Sequence, residues 1–153
     1  MTARPEGDFA DVIAFAWDGP AGTVAQSARL LLLDCLGCMI AGLGHATPRR
    51  FADALGITMP GLVHLPGCAA GLSEAGAAAV LASAMCWDEA NEGLARAHGR
   101  PGLAVAPLCI AALVAGRVAP HVAHDAFALG YEIAGRAGEI WRIRPGMHVD
   151  GSW

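Results

Sequence analysis

The run Ala28-Arg-Leu-Leu-Leu-Leu-Asp-Cys-Leu-Gly-Cys-Met-Ile-Ala-Gly42 decides the fold class. Ahead of it, Val24 opens a series that continues through Ala28, Leu31, Cys35 and Cys38 and keeps one face apolar at steps of three and four. That is the period of a helix; a half-buried strand would alternate every second residue. Thr23 with Gln26 three residues on reads as a capping box at its start. Gly42 and Gly44 read as its stop.

The same reading extends in both directions. Asp8 precedes Phe9, Val12, Ile13 and Ala16, a short capped helix that ends near Trp17 before the Asp18-Gly19-Pro20 turn. Downstream, a short helix is expected over 48–55, and Val63 to Gly67 is the one extended, strand-like piece. Ser73 caps an Ala-rich helix reaching about Trp87. Leu103–Gly116 and Pro120–Trp141 read as two more helices, Pro120 suiting a first helical position and Glu132 with Arg136 forming an i,i+4 pair. Five or six helices without an internal repeat or linker predict an all-α, bundle-like fold, with 1–153 as a single domain.

Composition narrows the function classes. Apolar residues make up 55 % and charged residues 16 %, which excludes disorder and hints at apolar surface beyond the chain's own core. A net charge of −4 leaves no basic stripe for nucleic acid. All ten basic residues are Arg, so no Schiff-base chemistry can come from this chain. The start carries no apolar h-region, and the longest apolar stretch, 103–115, is short of the ~18–20 residues of a membrane span. A cytoplasmic domain without membrane contact is the expectation. Cys35-x-x-Cys38 sits mid-helix with no second pair, so its thiols read as buried and structural. His121 and His124 with Asp125 lack a further ligand in register, and no metal site is expected. No glycine pattern suits a nucleotide, so no cofactor is expected either.

Two loops carry chemistry. Cys86 to Pro101 gathers Asp88, Glu89, Asn91, Glu92, Arg96, His98 and Arg100 between two apolar helices. The tail holds His148 between Arg144 and Asp150. A His among acids and Arg suits proton transfer, because its free pKa lies near neutrality.

These residues, taken in order, resemble the MmgE/PrpD family, which includes 2-methylcitrate dehydratase and cis-aconitate decarboxylase. The 28–42 run is similar to that family's early A-x-x-x-L-L-D-x-L-G-x-x-x-A-G helix. Ala84 to Asn91 resembles its A-L-D-F-D-D-T-H signature, and His98 to Gly102 with Ala106-Pro107-Leu108 its H-P-G…P-A-L step. Ala128 to Ala134 is similar to its G-Y-E-V-A helix, and Gly146 to Trp153 to its G-F-H-P-T-G-T-W segment. With Trp87 on the family's aromatic, Cys86 replaces the leading Asp, Ala90 the Thr and Asn91 the His. A register one or two residues later restores that Asp through Asp88, puts Glu92 near the Thr and gives up the aromatic match.

The resemblance implies the large helical domain of a two-domain enzyme, with the active site in a cleft beneath a lid domain that lies outside this chain. It implies acid–base chemistry on a small carboxylic acid: dehydration, decarboxylation or epimerisation without a cofactor. His98 and His148 fall on the family's motif histidines as general base or acid, and Asp88 would orient an imidazole. Arg96, Arg100, Glu89 and Asn91 would meet the substrate. The expected partner is a second copy or a complementary lid-bearing chain, whether the chain is a natural subunit, a truncated gene or a fragment. A rival reading is a non-catalytic helical scaffold that completes a dimer; a lipid-binding helix is disfavoured by the lack of a basic amphipathic face.

Overall fold

The computed structural model describes Ala16 and residues 18–140, and in it the deciding run forms α1, Gly22–Leu43. Its start differs from the capping-box expectation. Gly22 enters the helix in the left-handed region at φ 56, and Ala21, extended, is the cap residue. The Ala21 carbonyl takes the Val24 N–H at 3.2 Å, so the Thr23 hydroxyl lies too far into the turn to cap. The helix does stop at the glycines, ending at Leu43 with Gly44 as its cap residue, though not by a left-handed glycine. Gly44 is right-handed at φ −65, and α1 ends without a left-handed residue. Gly42 is needed for packing instead, since a Cβ there would run into the Ala84 carbonyl of a crossing helix.

The helix read over Asp8–Trp17 lies almost wholly outside the described residues. After α1, α2 (Ala46–Thr58) extends beyond the expected 48–55 at both ends. A small antiparallel hairpin follows, β1 (Pro60–His64) with β2 (Gly71–Leu72), bulged between Pro60 and Val63. The extended piece expected over 63–67 is therefore the end of β1 and the turn, where Gly67 sits at φ 74. Helix α3 (Glu74–Met85) is capped as its sequence indicates: the Ser73 hydroxyl accepts the Gly76 N–H at 3.1 Å. It stops two residues before Trp87.

The Cys86–Arg100 loop contains one turn of 3₁₀ helix, Ala95–Ala97. Helix α4 (Pro101–Val114) begins at Pro101 and not Leu103, since proline's missing N–H is harmless in a first turn. It closes on left-handed Gly116, with Gly116 N–H to Leu113 O at 3.0 Å and Arg117 N–H to Ala112 O at 2.9 Å, a Schellman ending. Helix α5 runs from Pro120 to Ile140 and carries the expected Arg136–Glu132 bond at 2.8 Å.

The fold is thus mostly helical, five helices and one hairpin among the described residues. Its centre is α3, whose alanines let α1, α2 and α4 approach closely, while α4 packs on α5. Met39, Leu72, Val80, Met85 and Phe127 are the fully buried anchors. The Leu-rich run of α1 has a second consequence. Ala28, Cys35 and Met39 face the core, while Leu30, Leu33 and Ile40 stay 58–64 % exposed on the other side. By length and composition α1 could cross a bilayer; its Asp34 accepts the Glu92 N–H of the loop after α3 at 3.1 Å.

The crossing of α1 over α3 gives a direct test. Gly42→Ala is expected to lower the unfolding free energy by about 3 kcal/mol, the upper range of core overpacking, because the obstacle is backbone and cannot swing aside. A denaturant titration reads this as a lower midpoint at unchanged slope. An unaltered midpoint would show that the helices do not cross this closely.

Candidate functional site

The loop from Cys86 to Arg100 is held at both ends and in the middle. Its far end lies on α5, where Gly135 and Gly138 clear the space. A Cβ on Gly138 would stand 2.8 Å from the Ala97 carbonyl oxygen, and one on Gly135 would stand 2.9 Å from Leu94. Ala97 is fully buried in that groove. Arg96 reaches across to α5, 2.9 Å from Glu139 and 3.7 Å from Glu132. A single backbone bridge, Leu94 N–H to Gly99 O at 2.8 Å, closes the turn.

His98 stands at the end of this closed turn, left-handed at φ 48 and exposed. Among the described residues its ring makes no hydrogen bond. Among those residues it is presented by the backbone, and none of them fixes its tautomer. His148 lies outside the described residues.

Arg100 gathers the loop's mouth. Its Nη1 is 2.6 Å from the Glu89 carboxylate and 3.2 Å from Asn91 Oδ1. Asn91 is 7 % exposed, and its buried Nδ2 has no hydrogen-bond partner among the described residues. A buried amide donor left unspent is uncommon and marks a place for an acceptor. Three of the four residues expected at the substrate, Arg100, Glu89 and Asn91, thus form one cluster, while the fourth, Arg96, is turned to α5.

Asp88 faces an imidazole from outside the loop. His45, the cap residue before α2, holds its Nε2 at 3.2 and 3.3 Å from the two Asp88 oxygens. The Trp87 ring lies 5.9 Å from the His45 ring. The partners are 43 residues apart, so no local pattern could have joined them.

Glu92 is the other residue the sequence undervalued. Its carboxylate accepts the Gly102 N–H at 2.8 Å in the first turn of α4 and the Tyr131 hydroxyl of α5 at 2.8 Å. Its own N–H goes to Asp34 of α1 at 3.1 Å. One acid therefore joins three helices to the loop. Burial raises its pKa, with the nearby Asp34 charge adding to it, against the lowering effect of the Tyr131 and Gly102 bonds and Arg100. The neighbouring Cys35 thiol is pushed up to about 12, mainly by burial and then by the Glu92 and Asp34 charges. It stays a neutral, structural thiol. A signal for Glu92 existed: an acid nine residues before a helix N-terminus that Gly102 leaves open to approach. A Cβ on Gly102 would lie 2.6 Å from the Glu92 carboxylate.

Among the described residues, no group of three or more His, Cys, Asp or Glu is arranged to hold a metal. Around the loop stand a His–Asp pair, an exposed His, and an Arg beside a buried amide nitrogen that is unpartnered among the described residues. A family model described as the MmgE/PrpD N-terminal domain matches residues 8–150. No curated protein and no solved structure gives a significant match.

Proposed function

Because the chain belongs to the MmgE/PrpD family, which includes dehydratase- and decarboxylase-type lyases, we propose that it is an enzyme or enzyme subunit moving a proton beside the carboxylate of a small organic acid. The observation that carries this reading is the Asn91 amide, buried with its Nδ2 unpartnered among the described residues, next to the Arg100 guanidinium. A substrate carboxylate is the acceptor that suits both donors, and charge-assisted bonds of this kind are strong and directional. The substrate carboxylate would compete at Arg100 with Glu89, an exposed partner held at little gain. Glu89 then flanks the site, and Arg96 joins by leaving Glu139. His98 and His148 serve as general base and acid, and Asp88 orients an imidazole. The reaction needs no metal or redox cofactor.

The family match is to an N-terminal domain, so the assay supplies the remaining family domain, fused or in trans. Small hydroxy and unsaturated acids are incubated in D₂O. Deuterium is expected at the carbon next to the carboxylate, with loss of water or CO₂, and dialysis against a chelator leaves the rate unchanged. Absence of label and product across the panel would remove the enzyme reading. Loss of rate restored by a divalent metal would remove its cofactor-free form.

A second reading, a non-catalytic helical partner, draws on Cys86, Ala90 and Asn91 standing where the family signature has Asp, Thr and His. In either reading the open face of α1, with Leu30, Leu33 and Ile40, meets a second copy or a lid-bearing chain. Sedimentation giving a stable monomer, unchanged by the second domain, would exclude both partners.

A further inference from the structure

We propose that His45 is a proton-transfer residue of this site, with Asp88 as the group that positions its ring. The inference rests on the acid–base reading above and adds to it an imidazole from outside the loop. Its basis is geometric. The His45 Nε2 faces both oxygens of Asp88 at 3.2 and 3.3 Å. An ionised carboxylate can only accept, so Nε2 carries the proton and the neutral ring keeps its lone pair on Nδ1. Among the described residues Nδ1 makes no hydrogen bond. Both side chains are 47 % exposed, so the ring is open to a molecule arriving from solvent. Trp87, itself 43 % exposed, stands beside the ring as an apolar wall.

The fold itself has little use for this pair. A half-exposed ion pair contributes little to stability. His45 occupies the cap position of α2 without a side-chain capping bond, so the helix does not depend on its ring. The pair sits at the near end of the Cys86–Arg100 loop, and the same loop presents His98 at its far end.

In the forward step the C–H bond next to the substrate carboxylate breaks. Its proton goes to Nδ1, and the electron pair stays in the substrate as an enolate. Asp88 faces the imidazolium so formed. Departing hydroxide is protonated by a second acid, the part given to His98. In a decarboxylation the proton runs the other way, from Nδ1–H to the carbon that CO₂ leaves.

Two measurements test this. On the ¹⁵N-labelled full chain, imidazole shifts should show neutral His45 protonated at Nε2, and Asp88→Asn should lose that preference. In the assembled enzyme, His45→Gln should lower kcat by about 10²–10⁴-fold, as loss of a general acid or base does, without moving Tm. An Nδ1-protonated His45 in the native chain would overturn the assignment. So would full turnover by His45→Gln in a preparation where the His98 variant is impaired, an outcome that leaves the acid–base function standing. Native protein inert toward every acid tested would instead sink the function, and this inference with it.

Discussion

Replacing His98 by Asn is expected to reduce turnover about 10²–10⁴-fold, the usual contribution of a positioned acid or base, while the melting temperature stays nearly constant. Asn is the right probe because position 98 is left-handed at φ 48. Outside glycine that region is best tolerated by Asn, Asp and His, so Asn keeps the backbone and removes only the titrating ring. Stability should hold because the ring is exposed and makes no hydrogen bond among the described residues, while the turn is closed by the Leu94–Gly99 bridge and the buried Ala97. His148→Gln is expected to act on the same scale. The comparison separates the two functional readings. A scaffold subunit would lose neither activity nor assembly on either change, and full turnover by both variants in the reconstituted system would favour it. A large fall in melting temperature for His98→Asn would instead make the ring a structural element.

What the sequence made legible follows the range of the interactions involved. The helical fold could be read because apolar spacing and end signals act within a few residues. The Ser73 cap is a side chain bonding three residues ahead. Glu132 and Arg136 are neighbours by helical geometry alone. The misread points are those where a local pattern was overruled by something distant or by backbone conformation. Thr23 and Gln26 have the right spacing, but left-handed Gly22 starts the helix before them. Gly42 looks like a terminator and is in fact the contact with Ala84, on a helix that sequence proximity does not pair with it. The candidate site divides in the same way. The loop itself stood out by composition, and Glu89, Asn91 and Arg100 do meet within it. Which acid faces which partner depended on tertiary packing. Asp88 lies against the His45 ring, which comes from 43 residues away. Glu92 finds Asp34 and Tyr131 across 58 and 39 residues.

Glu92 is where the loop is expected to be most vulnerable. Glu92→Ala leaves the Gly102 N–H and the Tyr131 hydroxyl without their acceptor. Each stranded donor costs about 1–3 kcal/mol, so the variant should lose about 2–6 kcal/mol and release the loop that presents His98. Glu92→Gln behaves differently. Its amide oxygen can still accept from Gly102, and its nitrogen can donate to the Tyr131 oxygen, so the joint survives. The two variants also separate hydrogen bonding from charge through pH. Burial raises the Glu92 pKa above its ordinary value in the folded chain. The folded state therefore holds this proton more tightly than the unfolded state, and stability falls as pH rises from the ordinary carboxyl range through the raised value. The native chain should gain stability relative to Glu92→Gln on acidification through that window, and the gap should stop changing above it. Denaturant midpoints of both proteins measured from pH 4 to pH 8 give the difference curve. A difference curve of opposite slope, with the native chain losing ground on acidification, would mean that the Tyr131 and Gly102 bonds outweigh burial. Glu92 would then be a stabilising anion at the start of α4.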